Sequence, residues 1–68
     1  MIHDVIRDYI KSNGIKQTFI AEKLGVSDRA VTDMLNGNRK ITVEEYYLLC
    51  KALRVPITYF FDKILEVE

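Results

Sequence analysis

Three glycines and a single proline cut a nearly continuous helical spacing of apolar residues into short runs, and this punctuation limits the chain to a set of brief helices. In the first run, Ile2, Val5, Ile6, Tyr9 and Ile10 fall at the i, i+3, i+4, i+7, i+8 positions of one helix face. Asn13-Gly14 supplies a stop. The second run, Gln17 to Leu24, sets Ile20, Ala21 and Leu24 on one side and ends at Gly25. Ser27 is a good N-cap for a third helix, and Asp28 suits its positive end. That helix is predicted over 27–36, with Gly37 closing it. Thr42-Val43-Glu44-Glu45 is a capping box: a threonine at the cap and a glutamate three residues on. It opens a fourth helix whose inner face is predicted to be Val43, Tyr46, Leu49, Cys50 and Leu53. Pro56 fits the first position of a fifth, with Ile57, Phe60, Phe61 and Ile64 toward the core. The fold class expected is all-α, five short helices in an orthogonal bundle, and residues 1–68 form one domain.

Composition narrows the function classes. Apolar residues make up 49%, too many for a disordered tail. No apolar run approaches the roughly 20 residues that span a bilayer, and the acidic Met1-Ile2-His3-Asp4 start is unlike a signal peptide. The lone Cys50 has no disulfide partner within the chain, so a reducing cytoplasm is expected. His3 stands alone, which argues against a metal site. No nucleophile is accompanied by a base, so the chain reads as a non-enzyme without a cofactor. Net charge is zero, unusual for a nucleic-acid binder. The charges are uneven, however: residues 1–40 carry seven basic and five acidic side chains, and residues 41–68 three and five.

The informative stretch runs from Gln17 to Lys40. Gly25-Val26 is too short for an antiparallel hairpin and suits a sharp corner, where Gly25 can take a positive φ without steric cost. Val26 and Val31 plug the angle, with Met34 beneath. Turning about 100° per residue, the third helix places Ala30, Val31, Met34 and Leu35 on one side. Asp28, Arg29, Thr32, Asp33 and Asn36 fall on the other, all able to hydrogen-bond base edges.

In Gln17, Ile20, Ala21, Leu24, Gly25, Val26, Ser27, Val31, Met34 and Gly37 the stretch resembles the lambda-repressor-like family of Cro and phage-repressor type regulators. The likeness continues through Leu49, Ala52, Leu53 and Val55. It implies a helix-turn-helix made by helices two and three, with helix three in the major groove of double-stranded DNA. It further implies base contacts at Asp28, Arg29, Thr32 and Asp33. Phosphate contacts would come from Gln17 with Thr18, from Ser27, and from the loop residues Asn36, Asn38, Arg39 and Lys40. Family members commonly bind an inverted repeat as dimers, and act as repressors or other transcription regulators.

Each assignment has a plainer counterpart. Arg29 either reads a base or pairs with Asp33 four residues on. Asp28 either reads a base or serves the helix terminus. Arg39 and Lys40 either touch phosphate or form a solvated loop. Lys16 stands where a small cap residue is usual. Phe19, Tyr47, Leu48, Tyr59, Leu65 and Val67 fall outside the inner faces. They shield the core or form a self-association surface, whose natural candidate is a two-fold homodimer through helix five and the C-terminal tail. The balanced charge and the acidic reading helix also suit an alternative: a protein-interaction or antitoxin-like module of the same fold with weak or no DNA binding.

Overall fold

The computed structural model describes the backbone of residues 2–67 and the side chains of residues 2–64. It holds five helices: α1 Ile2–Ser12, α2 Gln17–Leu24, α3 Asp28–Leu35, α4 Val43–Leu53 and α5 Tyr59–Val67. No strand occurs among the described residues. The helix α2 packs on α3 and α4, and α1 packs on α5 and α3.

Local chemistry explains most of the boundaries. The side chain of Ser27 caps α3 by accepting from Ala30 N at 3.1 Å, and Asn36 is the C-cap, so the predicted helix 27–36 is the observed one plus its caps. The capping box of α4 is complete: Thr42 Oγ1 accepts from Glu45 N at 3.1 Å, and Glu45 Oε1 accepts from Thr42 N at 3.0 Å. Lys16 gives α2 no side-chain cap, as its chemistry foretold. The carbonyl of Leu35, at the end of α3, accepts from Arg7 Nη1 of α1 at 3.3 Å, which satisfies a group the helix itself leaves open.

One core binds these elements. Ile6 and Ile10 of α1, Ile20, Ala21 and Leu24 of α2, and Val31, Met34 and Leu35 of α3 are buried. So are Leu49, Cys50 and Leu53 of α4, and Phe60 of α5. Phe60 is fully buried, with Tyr9 and Tyr59 edge-on to its ring at 5.6 and 5.2 Å. Burial pushes the Cys50 thiol up, in keeping with a small core residue.

Several expectations for the C-terminal half are corrected. The fifth helix starts at Tyr59, not Pro56. The Pro56 carbonyl accepts from Tyr59 N at 3.0 Å, closing a turn ahead of the helix. The Ile57 carbonyl is taken by the hydroxyl of Tyr46. Ile57 and Phe61 are 55% and 50% exposed, and Val43, first residue of α4, is 86% exposed, so none of the three belongs to the core. Tyr59 and Leu48, placed outside the inner faces, instead pack against it. Phe19 and Tyr47 are exposed. Leu65 and Val67 lie outside the described side chains.

Candidate nucleic-acid interface

The corner between α2 and α3 is built by backbone conformation. Gly25 adopts φ 71° and ψ 31°, the left-handed region, where a side chain would be strained. An added Cβ there would meet nothing within 4 Å, so conformation and not crowding demands glycine. Val26 N then donates to Ala21 O at 3.1 Å, and Val26 packs against the core. Because Val31, Met34 and Leu35 are all buried, α3 has one settled orientation, and its opposite face turns outward.

That face carries the strip expected from the sequence. Asp28 and Arg29 are exposed. The Arg29 side chain is 84% exposed, and its Nε lies 3.4 Å from Asp33 Oδ1, so the anticipated ion pair is present in the free protein. A pair this exposed is worth a few tenths of a kcal/mol and opens readily. Asp33 is half-buried, and its carbonyl accepts from Asn38 N at 2.8 Å, which folds the following loop back on the end of α3.

Of the residues assigned to phosphate, Gln17 and Thr18 stand exposed on the first turn of α2, and Asn36, Asn38 and Lys40 are exposed on the loop. Ser27 is exposed too, but its hydroxyl oxygen is engaged as the cap of α3. Two of the predicted residues are joined in a way the sequence did not indicate. Thr32 Oγ1 donates to Gln17 Oε1 at 2.8 Å, linking the outward side of α3 to the first turn of α2. With the oxygen of Gln17 so occupied, its amide NH2 group remains as the donor.

Arg39 stands apart. Its Nη2 and Nη1 donate to Glu45 Oε2 and Oε1 at 2.8 and 3.0 Å, a two-pronged bridge to the capping glutamate of α4. The hydrogen bonds from Arg39 come first among the causes that hold the Glu45 carboxyl at about 2, well below its ordinary 4.5, followed by the backbone hydrogen bond from Thr42. Glu45 therefore serves α4 and the loop at once, a role sequence reasoning missed. The available signal was a glutamate six residues after an arginine, within the capping box itself.

His3 was also missed. An added Cβ at Gly37 would come within 2.6 Å of His3 Nε2, so the imidazole of α1 rests directly on the turn that ends α3. Gly37 has φ 80°, and it is this left-handed backbone that calls for glycine, since the ring tip of His3 can swing aside from an added methyl group. Among the described residues no group of three or more His, Cys, Asp or Glu side chains could hold a metal ion, and no described helix is long and apolar enough to cross a membrane.

A helix-turn-helix family model matches residues 6–60 of this chain. A relative in Rhodospirillum rubrum, named as an uncharacterized transcriptional regulator in the ATPase CF(0) region, is 34% identical over 50 residues. The alignment covers 74% of this chain and 46% of the relative, so the chain spans about half the length of the protein it matches. No solved structure matches.

Proposed function

The chain belongs to the helix-turn-helix family, of the lambda-repressor-like kind, and from that premise we propose that it binds double-stranded DNA sequence-specifically as a homodimeric, repressor-like transcription regulator. The observation that carries this reading is the outward polar strip of α3. Asp28, Arg29 and Asp33 project from a helix whose other side is locked into the core by Val31, Met34 and Leu35, and nothing in the described chain covers Arg29, 84% exposed. A rigid helix with a protruding row of hydrogen-bonding side chains suits the major groove.

Specificity then rests with Arg29, assisted by Asp28, Thr32 and Asp33. Affinity rests with phosphates met by Gln17, Thr18, Ser27, Asn36, Asn38, Arg39 and Lys40. Because Arg39 is also bridged to Glu45, Lys40 is the cleaner probe of the phosphate term. Selection of binding sites from random duplexes tests the reading. Arg29→Ala should cost roughly 1–3 kcal/mol at one base position, while Lys40→Ala should weaken all sequences alike and lower the salt slope by about one. Failure to enrich any sequence refutes it and favours the protein-interaction module, which the acids on the reading strip support.

The exposed apolar residues support dimerisation, with a shift in place. Val43, Tyr47, Ile57 and Phe61 border an apolar groove of about 480 Å³ that also includes Ile41 and Thr42. Phe61 brings α5 into it, and the C-terminal tail lies outside the described side chains. The groove adjoins the loop assigned to phosphate. A two-fold contact there brings the two copies' loops together and sets their reading helices on either side. Phe61→Lys should yield monomers in sedimentation and weaken binding to an inverted repeat more than to a single half-site. Dimers that persist in Phe61→Lys would place the interface elsewhere.

A further inference from the structure

On the opposite flank of α4, Phe19 and Lys23 of α2 face Leu48, Lys51 and Ala52 of α4 across an open groove of about 490 Å³, with Arg54 at its end. We propose that this groove is a docking site for an acidic, amphipathic peptide segment of a partner protein, separate from the DNA-reading face and independent of whether DNA is bound.

Three features lead there. The first is uncompensated charge. Lys23, Lys51 and Arg54 are all exposed, and none has a carboxylate within ion-pair distance among the described residues, whose bridges involve only Arg7, Arg29, Arg39 and His3. In a chain of zero net charge, three unpaired cations around one groove make a local field that an acidic ligand would neutralise. The second is the floor. Phe19 is 40% exposed and Leu48 and Ala52 are half-buried, so the groove offers apolar surface to a ligand with apolar side chains of its own. A phosphodiester backbone would supply charge but nothing to cover that floor. The Lys23 ammonium lies 5.5 Å from the Phe19 ring centre, which keeps the charge beside the apolar surface.

The third is position. The helix α4 begins directly after the loop assigned to phosphate, and at 1.5 Å per residue Lys51 and Arg54 lie roughly 13 to 18 Å further along it. A peptide of a few residues in the groove leaves that loop and the strip of α3 uncovered. Arg54 is also the described chain's single non-glycine residue with positive φ, at 60°. A glycine would end α4 there with less strain, so replacing it removes the charge while easing the backbone.

The test is an NMR titration of the ¹⁵N-labelled full chain with a synthetic helical peptide of alternating Leu-Leu and Glu-Glu pairs. Its counterpart with lysine for every glutamate, and a short random-sequence duplex, serve as comparisons. The acidic peptide should shift the amides of Phe19, Lys23, Leu48 and Lys51 saturably, and more weakly as salt rises. Lys51→Glu should weaken it about tenfold, and Arg54→Gly several-fold without loss of thermal stability, so that lost binding is not lost folding. Absence of saturable shifts, equal binding of the lysine peptide, or shifts centred on α3 overturns the proposal. So does duplex DNA that moves the groove amides and loses affinity in Lys51→Glu, since the groove would then be a nucleic-acid surface.

Discussion

Glu45→Gln separates the two duties of one side chain. The glutamine keeps an oxygen to accept from Thr42 N, so the capping box survives, but the charge facing Arg39 is gone. The carboxyl sits at about 2 against an ordinary 4.5, a difference that at 1.36 kcal/mol per unit sets a ceiling of about 3 kcal/mol. Part of that belongs to the Thr42 hydrogen bond, and Arg39, 36% exposed, is partly screened by solvent, so the ion pair itself should contribute about 1 kcal/mol. For a domain of this size that corresponds to a melting-temperature loss of roughly 4–8 °C. The pH dependence follows from the direction of the shift. A depressed carboxyl stabilises the fold fully above its unfolded value near 4.5, and the effect is lost as pH falls through about 2. Thermal melts followed by circular dichroism should therefore show Glu45→Gln well below the parent at pH 7, the two curves approaching each other below about pH 4.5 and meeting near pH 2. A gap that stays constant across this range, or no gap at pH 7, would refute the account of Glu45 as a charge anchor.

Substitutions at Gly37, Arg54 and Thr32 address other features. Gly37→Ala should destabilise by about 1–2 kcal/mol through left-handed strain, with displacement of the His3 ring as a smaller cost; adding His3→Ala should therefore recover little of the loss, read by chemical denaturation. Arg54→Gly should gain about 0.5–1 kcal/mol in the same assay by relieving the positive φ at the end of α4. Thr32→Val, which keeps the shape and removes the hydroxyl, should free the Gln17 amide and remove one aid to base reading, so binding to the selected site should fall more than binding to random duplexes, whereas Thr32→Ser should restore it. Equal losses for all sequences in Thr32→Val would show that the hydroxyl only positions Gln17.

What the sequence disclosed and what it withheld divide along the range of the interactions. The capping box at Thr42, the Ser27 cap and the left-handed Gly25 were legible because each is set within about four residues. The buried stripes of α1, α2 and α3 were legible because a period of 3.6 residues marks them. The start of α5 was misread because Pro56 suits a first helical turn locally, while Tyr46, eleven residues back, claims the Ile57 carbonyl. With that turn closed, Phe60 faces the core as expected and Tyr59 packs beside it, while Ile57 and Phe61 are left exposed. Arg54 ends α4 in a conformation usually signalled by glycine, so no residue type announced it. In the site, the outward strip was foreseen, since exposure follows from the same periodicity. The links from Thr32 to Gln17, Arg39 to Glu45, and His3 to Gly37 were not, because side-chain reach across a corner leaves no periodic trace.

The strip's independence from the core has an evolutionary consequence. Asp28 and Arg29 are exposed, and the place of Asp28 in the first turn of α3 and the Arg29–Asp33 pair are each worth only tenths of a kcal/mol, so replacing them should change folding little. A lineage could then retarget such a regulator to new operators through two or three exchanges on α3, each passing through a well-folded intermediate. Thr32 is the exception: its tie to Gln17 would make it slower to diverge than its neighbours on the same helix face.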